Sequence, residues 1–125
     1  MTSTYFGATE LAIVKLDVDI SGTGEDTNLN NLSDKVEGKM HDVMFEMAEK
    51  NKLLDQLPVL PLTGSKITES IKDAMVSGMK AKYYERYQKD EERAKYYWDQ
   101  MAETLATWIK RQKVKNQIYG RVIGG

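Results

Sequence analysis

The sequence contains no cysteine, so disulfide frameworks, thiolate zinc sites and cysteine nucleophiles are excluded. It has one histidine and two prolines in 125 residues, a composition that suits helices and cannot build a multi-histidine zinc site. No apolar run approaches the roughly 18 residues that a membrane-spanning helix requires. Because no basic segment precedes an apolar stretch at the start, we expect no signal peptide.

Charge is abundant but nearly balanced, with 30% charged residues and a net charge of −1. A chain of this charge is not expected to coat nucleic acid by bulk electrostatics. The distribution is uneven: residues 1–55 hold eleven acids against five bases, whereas residues 110–125 hold five bases and no acid. The two ends therefore either complement each other, within one molecule or between neighbours, or leave a solvated basic tail without a role.

Apolar periodicity predicts one short and three longer helices. Thr9 caps the short helix, and an extended stretch at 16–20 and a turn-rich loop at 21–27 follow it. The second helix begins at Asp26 or Thr27 and ends near Leu54. Gly38 inside it marks either a close approach by another element or nothing more. The apolar stripe of this helix consists of Leu29, Leu32, Val36, Met40, Val43, Met44 and Met47.

Two prolines, Pro58 and Pro61, predict an extended apolar connection before the third helix. Ser65 is the expected cap of that helix, and Asp90 caps the fourth, which ends near Arg111. The inner face of the third helix comprises Ile67, Ile71, Met75, Gly78 and Met79 and continues into Tyr83, Tyr84 and Tyr87. The inner face of the fourth helix comprises Ala94, Tyr97, Trp98, Met101, Ala102, Leu105, Trp108 and Ile109.

The predicted fold is therefore all-α: a small helical bundle over residues 1–111 with an extended C-terminal arm at 112–125. The arm has few apolar residues and little to fold against alone. We expect it to order on a partner.

One loop resembles the start of an EF-hand calcium site. Asp17, Asp19 and Ser21 supply oxygens at alternate positions, and Gly22 follows. The pattern then fails, because Asn28 stands where a bidentate glutamate is required. An ordinary turn is the favoured interpretation, and a calcium-responsive binding module remains a rival.

Catalytic chemistry finds no support in the sequence. His41 and Glu37 are one helical turn apart, which is more typical of a surface pair than of a metal site. The glycines do not follow a phosphate-binding or dinucleotide-binding pattern. We predict no catalytic residue, no metal, no cofactor and no enzymatic activity.

Aromatic residues are concentrated in one stretch, with seven of the eleven lying within the 26 residues 83–108. They either lie flat on the surface or form a subunit interface, where Tyr, Trp and Arg are enriched. Trp108 belongs either to the core or to such an interface. Basic residues lie between these aromatic residues, a pattern that is compatible with nucleic acid as a partner. Acidic residues interrupt the basic ones, which weakens that interpretation. The subunit-interface candidates are Tyr83, Tyr84, Tyr87, Arg93, Tyr96 and Trp98.

The order of features over residues 8–112 resembles the head–tail adaptor (connector) proteins of tailed bacteriophages and related archaeal viruses. The matching features are a short opening helix, a polar Asp- and Thr-rich loop, a Pro-containing connection and a basic tail. The motifs are Leu29-x-x-Leu32-x-x-x-Val36, Tyr83-Tyr84-x-x-Tyr87, and Arg93-Ala94-x-x-Tyr97-Trp98 running through Leu105 and Ile109.

The resemblance implies a homo-dodecameric ring beneath the portal protein at the head–tail junction of a virion made in the host cytoplasm. A stopper or tail-completion protein would lie on the tail side, and genome DNA would pass through the lumen without sequence-specific binding; no membrane is involved. The arm would dock on the portal through Lys113, Lys115, Ile118, Tyr119, Arg121, Val122 and Ile123.

Besides the calcium-responsive module, two further alternatives remain open beside this interpretation. One is a small helical nucleic-acid-binding regulator that uses residues 80–95 and 110–121. The other is a different virion neck or tail-completion protein, in which we would expect more strands.

Overall fold

The computed structural model describes residues 3–123 of the chain, with side chains through Gln112. Four α-helices and no strand occur in this part of the chain, which confirms the predicted small all-α bundle. None of the helices described is both long and apolar enough to cross a membrane. The helices are α1 (Ala8–Asp17), α2 (Asp26–Lys50), α3 (Glu69–Tyr83) and α4 (Glu91–Ile123), with 3-10 turns at Leu54–Gln56 and Gly64–Lys66 and a π-helical turn at Tyr84–Gln88.

The central element is α3, which packs against α1, α2 and α4. Gly78 permits this arrangement, because a Cβ at that position would lie 2.6 Å from Cγ1 of Val36 on α2 and 3.0 Å from Sδ of Met101 on α4. At Gly38 a Cβ would meet no atom within 4 Å, so that glycine marks no close approach. The contact point of the three long helices is therefore Gly78.

The apolar stripes predicted from periodicity form the core. In α2 the residues Leu29, Leu32, Val36, Met40 and Met44 are buried, and Val43 and Met47 pack against them. In α4 the buried members of the stripe are Ala94, Met101, Leu105, Trp108 and Ile109. Trp108 is 4% exposed, which places it in the core of the single chain.

Several predicted helix ends are wrong by a few residues. The first helix begins after Gly7 and not at Thr9, since the Glu10 carboxylate accepts the Gly7 N–H at 3.0 Å. The stretch predicted to be extended at 16–20 instead completes α1 and turns at Asp19, whose φ is 60°.

The middle of the chain shows similar differences. Helix α2 ends at Lys50 and not near Leu54, and Lys52 adopts a left-handed φ of 57° directly after it. Helix α3 starts after Thr68 because Ser65 lies inside a 3-10 turn. The Asp90 cap is confirmed: its carboxylate accepts the Arg93 N–H at 3.1 Å.

The largest difference is at the C-terminus, where an extended arm was expected after Arg111. The backbone of α4 instead continues as helix to Ile123. Residues 110–119 contain neither glycine nor proline, so no residue with a strong helix-breaking preference interrupts them. The portal-docking side chains predicted between Lys113 and Ile123 lie outside the side chains that the structure describes.

The segment before α1 is part of the core, which the sequence did not indicate. Tyr5 is fully buried and Phe6 is 1% exposed. Both pack with the buried residues of the bundle, so residues 3–7 cover the core and do not trail from it.

Candidate interaction surface at the α3–α4 turn

The turn between α3 and α4 is built by an unusual backbone path. The π-helical turn Tyr84–Gln88 widens the end of α3, and Lys89 reverses the chain with a left-handed φ of 51°. The Asp90 N–H then donates to the Tyr84 carbonyl at 3.0 Å. This path brings the aromatic side chains at the end of α3 beside those at the start of α4. We call residues 83–98 the aromatic turn.

The inner part of the aromatic turn is structural. Tyr84 is 8% exposed, and its ring stacks on Tyr97 with centroids 5.8 Å apart and planes inclined by 6°. Lys80 Nζ lies 4.6 Å from the Tyr97 centroid and 2.9 Å from Oδ2 of Asp17 on α1. Tyr84 therefore stabilises the bundle and offers little area to a second subunit.

The outer part of the aromatic turn is accessible. Tyr87 is 41% exposed and Tyr96 is 57% exposed. Arg93, whose side chain is 65% exposed, lies with its guanidinium 5.4 Å from the Tyr84 centroid. Tyr83 is half-buried and contacts Tyr87 at a centroid distance of 5.6 Å. Two exposed tyrosines and one arginine thus share this end of the bundle.

A groove of about 370 Å³ lies beside the turn, lined by Lys39, Glu85, Glu91, Ala94, Lys95 and Trp98. The Trp98 Nε1–H donates to Glu85 Oε2 at 3.0 Å, and Lys39 Nζ lies 4.2 Å from the Trp98 centroid. The hydrogen bond from Trp98, helped by Lys82, lowers the pKa of Glu85 below its ordinary value. The groove is lined by two acids and two bases, so the formal charges of its side chains balance.

Most basic side chains of this region are already paired with acids. Of the six bases between residues 80 and 95, four form ion pairs within the bundle. A cation that is already paired with a carboxylate neutralises phosphates less well, so fewer counterions leave the nucleic acid and binding is weaker. The pairing counts against a nucleic-acid face here. The pairs are Lys80–Asp17, Lys82–Glu85, Arg93–Asp90 and Lys95–Asp99.

The first carboxylate of the EF-hand-like start, that of Asp17, is engaged in an ion pair. Asp17 pairs with Lys80 at 2.9 Å, and Asp26 pairs with Lys15 at 2.8 Å. Within the described part of the chain, no three His, Cys, Asp or Glu side chains come together as a metal site would require. The segment acts as a turn held to α3 by an ion pair.

A second group of polar side chains lies at the N-terminal segment, and sequence reasoning missed it. The Tyr5 hydroxyl lies 3.0 Å from His41 Nε2 and accepts the Leu62 N–H at 2.6 Å. Ser3 donates its N–H to Ser33 Oγ at 2.8 Å and its hydroxyl to the Glu37 carboxylate.

His41 thus contacts Tyr5 and is half-buried, where a surface pair with Glu37 was expected. Burial lowers the pKa of His41, against the effect of Glu37 and Asp42, and raises the pKa of Tyr5. The only signal available in the sequence was the Tyr5-Phe6 pair ahead of the first helix.

The predicted interface residues divide into two groups. Tyr87, Arg93 and Tyr96 are exposed together at the aromatic turn, whereas Tyr83 and Trp98 are half-buried around it and Tyr84 is buried.

We compared the chain with known protein families, curated proteins and solved structures, and it matches none of them.

Proposed function

We propose that the chain is a structural virion protein, a head–tail adaptor that assembles as a homo-oligomeric, dodecameric ring between the portal and the tail or neck of a tailed virus. The observation that carries this proposal is the exposure of Tyr87 and Tyr96 beside Arg93 on the aromatic turn. The order of sequence features that resembles the adaptor family supports it independently.

Exposed tyrosines beside an arginine are a composition typical of protein interfaces. Tyr and Arg are enriched at interface hot spots, since a tyrosine buries a large rigid area at small entropy cost. Each buried aromatic side chain removes roughly 150–250 Å² from water. The aromatic turn therefore gains more from contact with another protein than from contact with solvent.

A ring that closes head to tail needs two different surfaces on each subunit. The aromatic turn is the first. The exposed face of α2, which carries Phe45 between the carboxylates of Asp42, Glu46 and Glu49, is available as the second. These are two different surfaces of one subunit, as a heterologous contact requires.

The C-terminal segment is assigned to the portal in this proposal. The α4 backbone continues past Gln112 as helix, and residues 110–125 carry five bases and no acid. A basic helical extension can reach a neighbouring protein that the bundle itself does not touch. The near-neutral chain, with a net charge of −1, would let genome DNA pass through the lumen without retention.

The direct test is immunogold electron microscopy of tailed particles from the source culture with an antibody against this chain. We expect label at the junction of head and tail. Label on the capsid shell or along the tail, or unlabelled tailed particles, would refute the adaptor role. Native mass spectrometry of the purified chain, alone and mixed with the portal, then gives the copy number.

A further inference from the structure

The N-terminal segment, α2 and the connection before α3 meet at one hydroxyl group. Tyr5 is fully buried, and its phenol oxygen lies 3.0 Å from His41 Nε2 on α2 and 2.6 Å from the Leu62 nitrogen in the connection. Leu62 is itself fully buried. We call Tyr5, His41 and Leu62 the tyrosine clamp.

One assignment of donors and acceptors satisfies every group of the clamp. The Leu62 N–H can only donate, so the Tyr5 oxygen accepts from it. The phenol proton then points at His41 Nε2, which must be unprotonated to accept it. The three groups are satisfied together only when His41 is neutral.

Protonation of His41 removes the acceptor of the phenol proton. A protonated imidazole donates from both nitrogens, so Nε2–H and the Leu62 N–H both point at the Tyr5 oxygen, and the phenol proton must turn away from His41. The phenol proton then has no partner within the clamp, and an unpaired buried donor is costly. Opening of the clamp to water removes that cost.

The carboxylates that face His41 stabilise its protonated ring and so offset part of the cost of protonation. Glu37 and Asp42 on α2 both favour the charged imidazole, and the N-terminal segment contributes the Tyr5 phenol. From the connection, the uncharged Leu62 N–H donates to the Tyr5 oxygen. Ser3 occupies the Glu37 carboxylate with its hydroxyl, which leaves Tyr5 as the direct partner of the ring.

We propose that the tyrosine clamp is a proton-operated latch: protonation of His41 breaks the contact between Tyr5 and Leu62 and frees the connection 57–62 from the N-terminal segment. The latch is independent of the adaptor role. Its opening is local, because the clamp joins the N-terminal segment, α2 and the connection and includes no residue of α3 or α4. Acidification therefore loosens this edge of the bundle while the helices stay packed.

Amide hydrogen exchange of the full chain, followed by NMR, tests the latch. The readout is the protection factor of the Leu62 amide, which corrects for the intrinsic pH dependence of exchange, at about pH 7.5 and about pH 5. We expect it to fall about five- to tenfold at the lower pH, the effect of losing one hydrogen bond. The Met79 amide in the middle of α3 serves as the reference for global opening.

Two variants sharpen the test. His41→Gln keeps an oxygen that accepts from Tyr5 but does not titrate, so Leu62 protection should stay constant between the two pH values. Tyr5→Phe removes the hydroxyl, so protection should be low at both. If either variant does not fold, the wild-type chain alone decides: the Leu62 amide shift and the His41 ring proton must titrate with one midpoint.

Three results would overturn the proposal. The first is equal Leu62 protection at both pH values in the wild type. The second is the same pH-dependent loss in His41→Gln. The third is a parallel loss at Met79, which would indicate global unfolding and not a local latch.

Discussion

Gly78 lies directly against Val36, so closely that a Cβ on the glycine would be 2.6 Å from Cγ1 of the valine. Valine is stiff at χ1 and is fully buried here, so it has little freedom to move aside. The approach of α2 and α3 therefore depends on the absence of a single methyl group.

Gly78→Ala should consequently destabilise the protein although alanine favours helix. Overpacking outweighs the gain in helix propensity, and we expect a net loss of roughly 1–2 kcal/mol in the free energy of unfolding, measured by urea denaturation. Gly38→Ala is the matched control. With nothing within 4 Å of its Cβ, it should stabilise by about 0.5–1 kcal/mol. Equal stabilisation by both substitutions would contradict the close approach.

Trp108→Ala should be severely destabilising, because the side chain is 4% exposed and packs in the core of the single chain. Truncation of a buried tryptophan costs about 3–5 kcal/mol, enough to unfold a marginal domain. Tyr96→Ala, at a 57% exposed aromatic, should change stability by less than about 0.5 kcal/mol. Thermal unfolding monitored by circular dichroism distinguishes the two, and similar melting temperatures would place Trp108 outside the core.

For the proposed ring, we expect the double variant Tyr87→Ser/Tyr96→Ser to lose assembly while keeping the fold. Both tyrosines are exposed in the single chain, so their removal costs little stability but takes away the main apolar area of the aromatic turn. Phe45→Ser tests the second face in the same way, since Phe45 is 50% exposed on α2. Native mass spectrometry of each variant with the portal is the readout. A double variant that assembles like the wild type would remove the aromatic turn from the interface.

Stability should decline as the pH falls below the ordinary pKa of histidine. Burial holds the pKa of His41 below its usual value of 6.5, so the folded chain binds fewer protons than the unfolded chain in that range. The stabilising contribution is complete above about pH 6.5 and is lost as the pH falls through the folded pKa. Urea denaturation at a series of pH values should show this decline in the wild type and a flatter curve in His41→Gln. A wild-type curve as flat as the variant's would contradict it.

Trp98→Phe should raise the pKa of Glu85 toward its ordinary value, because the variant cannot donate the hydrogen bond that Nε1 supplies at 3.0 Å. The lowered pKa means that the Glu85 contribution is present above the unfolded pKa and disappears as the pH falls through the folded one. Carboxyl-detected NMR titration measures the change. Trp108→Phe is the control, and an equal shift there would indicate a general change of structure.

Much of the helical architecture was predictable from the sequence. Most of the stripe from Leu29 to Met44 and of the stripe from Ala94 to Ile109 is buried as the periodicity predicts, and Val43, Tyr97 and Trp98 are partly buried against the core. The Asp90 cap was also predictable, since a cap depends on a side chain and an amide three residues apart. The end of α4 was not, because a basic segment without glycine or proline between 110 and 119 is compatible with either helix or arm.

The candidate site was only partly predictable. The sequence located the aromatic stretch at 83–98, but it did not separate buried Tyr84 from exposed Tyr87 and Tyr96. That separation follows from the π-helical turn and the left-handed Lys89, which rotate neighbouring tyrosines toward different surroundings. No propensity argument favours a left-handed lysine at that position.

Which residues share a helix face can be read from the sequence alone, because that relation repeats every 3.6 residues and needs no partner. What each face contacts depends on how the whole chain packs. That packing makes Gly78 a contact point and leaves Gly38 in open space, and it brings Tyr5 to His41 and Leu62 across 36 and 57 residues of chain. Such contacts join positions far apart in the chain, so the pattern of residues within one helix does not predict them.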